Sequence, residues 1–154
     1  MHLVEVVGVR VEMPSNQPIV LLKEVDGIRY LPIWVGATEA TAIAFAQQGL
    51  NPPRPLTHDL LKTVIGELGS KVESVQVTHL ADGVFFAKIL LEKGIEVSAR
   101  PSDAVALALR SGAPIFATEE VFQSAGIEIP DQADDQVEAF REFLDQINPE
   151  DFLG

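Results

Sequence analysis

The chain has 154 residues, a net charge of −12 at pH 7 and no cysteine, which excludes disulfide bonds, thiolate metal sites and a cysteine nucleophile. Apolar residues make up 47% of the sequence, enough for one domain with a sizeable core. The first twelve residues alternate and carry charge, unlike a secretion signal, and no apolar run is long enough to cross a bilayer. We therefore expect a soluble, cytoplasmic protein.

The negative charge is concentrated at the C-terminal end. Residues 1–110 hold 10 Lys and Arg against 12 Asp and Glu, whereas residues 111–154 hold one arginine against 11 acids. The two segments thus carry −2 and −10. A protein with this charge repels phosphate backbones unless it offers a local basic patch or bound cations.

Three strand-like runs occupy the beginning of the chain. These predicted strands cover residues 2–12, 18–25 and 28–35. Asp26-Gly27 between the last two is a strong hairpin signal, because a tight turn needs residues that tolerate positive φ. Thr38 is then predicted to cap a helix that ends near Gln48, with Gly49 as its stop.

Residues 51–55 form a proline-rich loop that cannot be helical. After this loop the sequence predicts a helix and then, as in the first part of the chain, three strands and a helix. Thr57 is predicted to cap a helix over 58–68. Its apolar stripe has the spacing of a helix that packs on a core and consists of Leu60, Leu61, Val64, Ile65 and Leu68. The remaining predicted elements are strands at 71–80, 84–92 and 95–100, a helix at 103–111 capped by Ser102, a short strand at 114–117 and a short helix at 119–125.

An internal repeat relates the two halves. Residues 38–45 align without gaps to residues 102–109, an offset of 64 residues, and each copy follows three predicted strands. Each copy begins with a hydroxyl and a carboxylate and continues with alternating alanines. We therefore predict an α+β fold: a duplicated β-β-β-α unit with approximate two-fold symmetry, a mostly antiparallel sheet and packed helices. Both repeat helices are apolar nearly all round and are expected to be buried.

The acidic end of the chain is predicted to be separate from this body. Val137, Phe140, Leu144 and Ile147 recur at helical spacing, which indicates a C-terminal amphipathic helix docked on the body, with an interaction tail as the alternative. The predicted division is a domain over residues 1–130 and a helical tail over 131–154.

Polar residues interrupt the apolar segments at three places, each at a helix start or in the loop before it. They are Glu39, residues 54–59 and residues 100–103. Free N–H groups at helix N-termini bind anions such as phosphate, and Arg54 and Arg100 can add bidentate contacts. His58 lies beside an acid at such a junction, which suits a general base or a metal ligand, and Lys62 extends the basic face.

Each of these residues also has a purely structural explanation. On their spacing alone, that explanation is favoured over a catalytic or binding role. Thr57 and Ser102 are ordinary caps, and His58 borders an apolar stripe. Glu39, Asp59 and Asp103 are first-turn acids, which the helix dipole favours by ~0.3–1 kcal/mol. The two symmetric acids Glu39 and Asp103 could instead share a cation.

Four segments carry a signature when they are taken together. They read Leu31-Pro32-Ile33-Trp34-Val35-Gly36, Glu39-Ala40, Pro53-Arg54-Pro55-Leu56-Thr57-His58-Asp59-Leu60 and Ala99-Arg100-Pro101-Ser102-Asp103-Ala104. In order and spacing they resemble the bifunctional nuclease family, over roughly residues 2–130. The resemblance implies hydrolysis of phosphodiester bonds in both DNA and RNA with little base preference. Ser98 is a departure, because many relatives have an acid there; if that acid is a metal ligand, the site here is weaker or different.

A mechanism that fits the resemblance uses the matching positions. Glu39, Asp59 and Asp103 would hold Mg²⁺ or Mn²⁺, because hard cations prefer oxygen ligands, and the metal would activate water. His58 would move the proton. The residues expected to bind the substrate are Arg54, Thr57, Lys62, Arg100 and Ser102.

Two other classes of protein remain open. A non-catalytic nucleic-acid- or protein-binding regulatory domain would explain the acidic charge, the small basic patch and the structural roles available to every motif residue. A homo-oligomer whose polar motifs lie at a subunit contact is the third class.

Overall fold

The structure is a computed structural model that describes residues 1–12 and 15–128. Its strands are β1 His2–Glu12, β2 Gln17–Glu24, β3 Arg29–Trp34, β4 Val72–Ala81, β5 Val84–Leu91, β6 Glu96–Ala99, β7 Ile115–Ala117 and β8 Ile127–Glu128. Its α-helices are α1 Ala37–Gln48, α2 Thr57–Glu67, α3 Pro101–Ser111 and α4 Glu119–Ala125, and a 3₁₀ turn covers Glu92–Gly94. The predicted tail over 131–154 lies outside the described residues.

The described strands form one sheet in the order β6-β5-β4-β7-β1-β2-β3-β8. Neighbouring strands are antiparallel except for β4 and β7, which are parallel. The short strand β7 thus joins two antiparallel three-stranded groups, β1-β2-β3 and β4-β5-β6. This arrangement confirms the predicted α+β class and the mostly antiparallel sheet with packed helices.

A helix follows each three-stranded group, α1 after β3 and α3 after β6. Their burial differs, although both were expected to be buried. In α3 the run Ala104–Ala108 is fully enclosed, because this helix packs against α1, α2, β4 and β5. In α1 only Ala40, Ala42 and Ile43 are buried. The origin of the two units by duplication and their two-fold relation stay predictions.

One hydrophobic core connects both halves of the sheet with the helices. Leu22, Leu31, Ile43, Val75 and Leu107 have no exposed surface. Burying a side chain of this size contributes about 1.5–3 kcal/mol. The core therefore fixes α1 and α3 against the sheet, and with them the side chains at the start of each helix.

The predicted caps Thr38, Thr57 and Ser102 are wrong, because the three helices begin one or two residues earlier. The N-caps are Gly36, Leu56 and Arg100, all in extended conformation and without a side-chain capping bond. Pro101 starts α3 instead of only breaking the preceding strand, as its fixed φ and missing N–H allow at a first helical position. The third helical residue of α1, α2 and α3 is consequently a carboxylate, from Glu39, Asp59 and Asp103.

Helix α2 is attached to the body in a way that its apolar pattern did not predict. Its only buried residue is His58, and four members of the predicted stripe are exposed: Leu60, Leu61, Val64 and Leu68. The helix packs mainly on α3, and only Ile65 of the predicted stripe is half-buried against the core. Helical periodicity shows that a helix has an apolar face, but it does not show what covers that face. Within the described part of the chain, no helix is long and apolar enough to cross a membrane.

Candidate active site

The first turns of α1, α2 and α3 meet at one place, where a continuous chain of polar contacts connects four side chains. His58 Nε2 lies 2.9 Å from Asp103 Oδ1. Arg100 donates from Nε to Asp103 Oδ2 at 2.9 Å and from Nη2 to Glu39 Oε1 at 2.8 Å. We refer to Glu39, His58, Arg100 and Asp103 as the polar cluster.

The polar cluster is enclosed at one end and open at the other. The His58 side chain is only 8% exposed, whereas the Arg100 side chain is 65% exposed. An anion that approaches the cluster from solvent therefore meets the Arg100 guanidinium first. The N-termini of α1 and α3 lie on either side, and their N–H dipoles also favour an anion.

The carboxylate of Asp103 is ionised in this setting. Burial opposes the charge, but the hydrogen bonds with His58 and Arg100 outweigh it and hold the pKa of Asp103 below its ordinary value. An ionised carboxylate can only accept, so Nε2 of His58 must donate the shared proton. In neutral His58 the lone pair is then on Nδ1, which is the nitrogen able to accept a proton.

The Arg100 charge is fixed by the same network. Its hydrogen bonds to Asp103 and Glu39 raise the pKa of Arg100 above the ordinary value. Within the part of the chain that the structure describes, these bonds use two of its N–H groups and leave the rest of the planar guanidinium able to bind a phosphate oxygen.

Asp59 lies next to His58 but is directed away from the polar cluster. Its Oδ2 accepts from the Leu56 backbone N–H at 2.9 Å and its Oδ1 accepts from Arg110 Nε at 2.8 Å. Burial opposes ionisation of Asp59, but these two donors outweigh it and hold the pKa below its ordinary value.

Arg110 is a residue that the sequence analysis missed. Its side chain is buried, and its Nη1 and Nη2 atoms donate to the carbonyl oxygens of Ala106 and Ala42. The sequence did contain a sign of its role, because Arg110 is the single charged residue after Asp103 in an otherwise mostly apolar helix. A charge in such a helix has to be paired when the helix is buried.

The arrangement does not fit the expected Mg²⁺ or Mn²⁺ site. Arg100 bridges Glu39 and Asp103, and Arg110 holds Asp59, so guanidinium groups already balance the three carboxylates. Among residues 1–12 and 15–128, no group of three or more His, Cys, Asp or Glu side chains is placed to hold a metal ion. The metal and its three ligands stay a prediction.

The other expected binding residues surround the polar cluster. Arg54 is exposed and makes no side-chain hydrogen bond or ion pair with the described residues, and Thr57 is exposed at the first position of α2. Lys62 lines a cavity of about 560 Å³ together with Asp59 and Arg110. Ser102 is buried and, with Arg100, lines a second cavity of about 400 Å³.

Gly36 gives a test of the Glu39 position. A Cβ atom added at Gly36 would lie 2.5 Å from Glu39 Oε2. Because the clash involves the end of a flexible side chain, Gly36→Ala is expected to fold normally while displacing the Glu39 carboxylate from Arg100. We expect phosphate affinity or turnover to fall by about 3- to 10-fold, the size of losing one hydrogen bond that contributes about 0.5–1.5 kcal/mol at an exposed position.

The matched control is Gly66→Ala in α2, where an added Cβ meets no atom within 4 Å. This change is expected to raise the free energy of unfolding by about 0.5–1 kcal/mol, because alanine favours helix, without altering the polar cluster. Equal phosphate binding and turnover in Gly36→Ala and the wild type would show that the Glu39–Arg100 contact is not needed.

Comparison with known proteins agrees with the signature residues. Residues 20–130 match the family model of the bifunctional nuclease domain. An uncharacterized protein of Mycobacterium tuberculosis is 52% identical over 158 residues, covering 97% of this chain and 96% of that protein. Bifunctional nuclease 1 of Arabidopsis thaliana is 28% identical over 122 residues, covering 75% of this chain and 38% of the plant protein.

Bifunctional nuclease 1 of Oryza sativa subsp. indica is 26% identical over 120 residues, covering 74% of this chain and 36% of that protein. The chain therefore spans less than two fifths of the length of these plant relatives. The matched region nevertheless contains all three helix starts, Arg100, Arg110 and the complete polar cluster. The chain belongs to the bifunctional nuclease domain family.

Proposed function

We propose that this protein is a nuclease that hydrolyses phosphodiester bonds of DNA and RNA with little base preference. The observation that carries the proposal is the continuous contact chain from buried His58 through Asp103 to the exposed guanidinium of Arg100. It combines a proton acceptor, a carboxylate that orients it and an anion-binding cation in one place. The name of the family and of its plant members supports the same activity.

Arg100 is the proposed phosphate-binding group. Its exposed guanidinium binds non-bridging phosphoryl oxygens, and Glu39 and Asp103 hold it in one orientation before the substrate arrives. Negative charge grows on those oxygens as water attacks, so a cation held in place stabilises the transition state more than the substrate.

His58 is the proposed general base. Its Nδ1 accepts a proton from the attacking water as the water oxygen bonds to phosphorus. The bond between phosphorus and the leaving oxygen breaks, and that oxygen takes up a proton from solvent. Asp103 keeps the other proton on Nε2 and stabilises the imidazolium that forms.

The same site accounts for weak base preference. Contacts to phosphate position a nucleic acid without carrying sequence information. Arg54 and Lys62 are the further cations proposed to follow the backbone, and Thr57 and Ser102 are proposed to donate hydroxyl hydrogen bonds to phosphate oxygens. Because the slope of log affinity against log salt scales with the number of phosphates neutralised, Arg54, Lys62 and Arg100 are expected to give a moderate slope of about −2 to −3.

The expected Mg²⁺ or Mn²⁺ cofactor is left for experiment, and no step above depends on it. A divalent ion that accompanies the nucleic acid is compatible with the charge of the protein. Cytoplasmic location and a homo-oligomeric state also stay predictions.

A cleavage assay on single-stranded RNA and DNA tests the proposal. We compare the wild type with the double variant His58→Ala, Asp103→Asn, in Mg²⁺, in Mn²⁺ and in chelator. Cleavage by the wild type but not by the variant supports the proposal, and the three conditions decide the metal requirement. Equal cleavage by both proteins indicates a contaminating nuclease and contradicts the assigned site.

A non-catalytic nucleic-acid-binding regulatory domain is the second candidate. It is favoured by the fact that the charged groups of the polar cluster are already paired with one another. In that case the wild type binds single strands without turnover, and the double variant Arg54→Ala, Arg100→Ala loses the binding. Turnover by the wild type that the catalytic double variant lacks excludes this candidate.

A further inference from the structure

Asp59 and Arg110 form a partly buried ion pair next to the polar cluster, with the Arg110 side chain 8% and the Asp59 side chain 34% exposed. The Arg110 guanidinium uses all three of its nitrogens: Nε binds the Asp59 carboxylate on α2, Nη1 binds the Ala106 carbonyl on α3, and Nη2 binds the Ala42 carbonyl on α1. One side chain therefore connects the three helices whose first turns carry the polar cluster. A second network elsewhere in the fold, between Arg29 and two glutamates, is remote from these helices.

We propose that Arg110 is a positioning residue that acts through Asp59 to hold His58 in place against Asp103. The significance of this role for catalysis rests on the proposed nuclease function. The placement of His58 itself is tested without a cleavage assay, from the rate at which a reagent modifies this histidine.

The attachment of α2 explains why such a residue is needed. His58 is the single buried residue of α2, and most of the apolar side chains of this helix are exposed. Hydrophobic packing of this helix is therefore limited to its contact with α3 and to Ile65, which is half-buried against the core. Asp59 follows His58 directly, and its two oxygens fasten the first turn, one to Arg110 and one to the Leu56 N–H. Loss of the Arg110 contact leaves His58 on a turn with few other attachments.

The geometry also separates the role of Asp59 from that of Asp103. Both oxygens of Asp59 are engaged by donors of the protein, and neither contacts the polar cluster. A lysine in place of Arg110 cannot reproduce the contacts, because an ammonium group lacks the planar fork that reaches three acceptors in fixed directions. Arg110→Lys is thus expected to resemble Arg110→Ala more than the wild type.

The test compares Arg110→Ala and Arg110→Lys with Arg29→Ala as the matched control. Arg29 on β3 also pairs with two carboxylates, Glu24 on β2 and Glu119 on α4, so its loss destabilises the protein without touching the starts of α1, α2 and α3. Diethylpyrocarbonate modification of each histidine is followed by mass spectrometry, with His79 as the internal reference. The assays are run at a temperature where circular dichroism shows all proteins to be folded.

We expect His58 to be modified faster in both Arg110 variants and at the wild-type rate in Arg29→Ala. In the cleavage assay we expect kcat to fall by about 10- to 100-fold with KM nearly unchanged, the effect of a small displacement of a catalytic group. Free guanidinium ion at low millimolar concentration should restore both His58 protection and kcat in Arg110→Ala. Guanidinium should restore neither property in Arg110→Lys, because the lysine side chain, unlike alanine, fills the space that the free ion would occupy.

Wild-type protection of His58 in folded Arg110→Ala overturns the proposal, and so does an equal loss of kcat in Arg29→Ala. If Arg110→Ala does not fold, Asp59→Asn is the second test of the proposal. Asparagine keeps the side-chain size, but its NH₂ group must face either the Leu56 N–H or Arg110, so one of the two hydrogen bonds is lost. Increased His58 modification in that variant supports the proposal, and an unchanged rate overturns it. A wild type that does not cleave contradicts the nuclease function but leaves the His58 modification result intact.

Discussion

Asp103→Asn is expected to reduce phosphodiester cleavage by about 10³- to 10⁴-fold while leaving the protein folded, as loss of a histidine-orienting carboxylate does elsewhere. The two oxygens of Asp103 accept from His58 and from Arg100. An asparagine offers one oxygen and one NH₂ group. One of the two donors must then face another donor, so either the His58 tautomer or the Arg100 orientation is lost.

The expected result is measured as kcat with single-stranded RNA and DNA, together with the thermal unfolding midpoint. Asp82→Asn is the matched control, because Asp82 lies in the β4–β5 turn at φ 53°, a conformation that asparagine also adopts readily. The control is expected to keep wild-type kcat. Cleavage by Asp103→Asn within a few-fold of the wild type would remove Asp103 from the mechanism.

Arg29→Ala is expected to lower the free energy of unfolding by about 2–4 kcal/mol at neutral pH, the effect of breaking a largely buried ion pair. Arg29 donates to Glu24 from Nε and Nη2 and to Glu119 from Nη1 and Nη2, and it stacks 4.6 Å above the Phe122 ring. Glu24 is only 7% exposed. Its charge therefore loses its main partner without regaining water.

Denaturant unfolding measures this loss, and Lys88→Ala serves as the comparison. Lys88 pairs with Glu96 at the surface, where an ion pair contributes about 0–1 kcal/mol. A similar change in both variants would show that the Arg29 network has no special role.

The Arg29 network also predicts how stability depends on pH. The hydrogen bond from Arg29 holds the pKa of Glu24 below its ordinary value, and the hydrogen bonds from Arg29 lower the pKa of Glu119 to about 2. Both groups have folded-state pKa values below the unfolded value of 4.5, so their stabilisation is complete above that pH and is lost as pH falls towards 2. The wild-type and Arg29→Ala curves are expected to converge in this range; a constant gap would contradict the assignment.

Local sequence patterns predicted most of the elements correctly. Gly49 and Gly112 end α1 and α3 with φ near 65°, as expected for glycines after a helix. Asp82-Gly83 forms the turn between β4 and β5, with positive φ at both residues. These features depend on residues a few positions apart, and the sequence contains them directly.

The starts of α1, α2 and α3 were less predictable. A hydroxyl residue before an apolar run usually indicates an N-cap, but here the carboxylate at the third helical position is common to all three helices, and Asp59 bonds back to the N-cap amide of Leu56. Extended backbone at Gly36, Leu56 and Arg100 thus enters each helix without a hydroxyl cap. Each start thus offered two signals, a hydroxyl residue at the N-cap and a carboxylate at the third helical position, and the neighbouring residues do not show which of the two applies.

The sequence by itself determined the α+β class, the hairpins, the helix ends and the motif residues by which the family is recognised. Only the tertiary structure decided which of those residues act together. The contact between His58 and Asp103 joins residues 45 positions apart, and the contact between Arg100 and Glu39 joins residues 61 positions apart. Such pairs form because α1 and α3 pack side by side with α2 against α3, and the same packing turns Asp59 towards Arg110. Helix packing depends on the shape of the whole core, which no local pattern encodes.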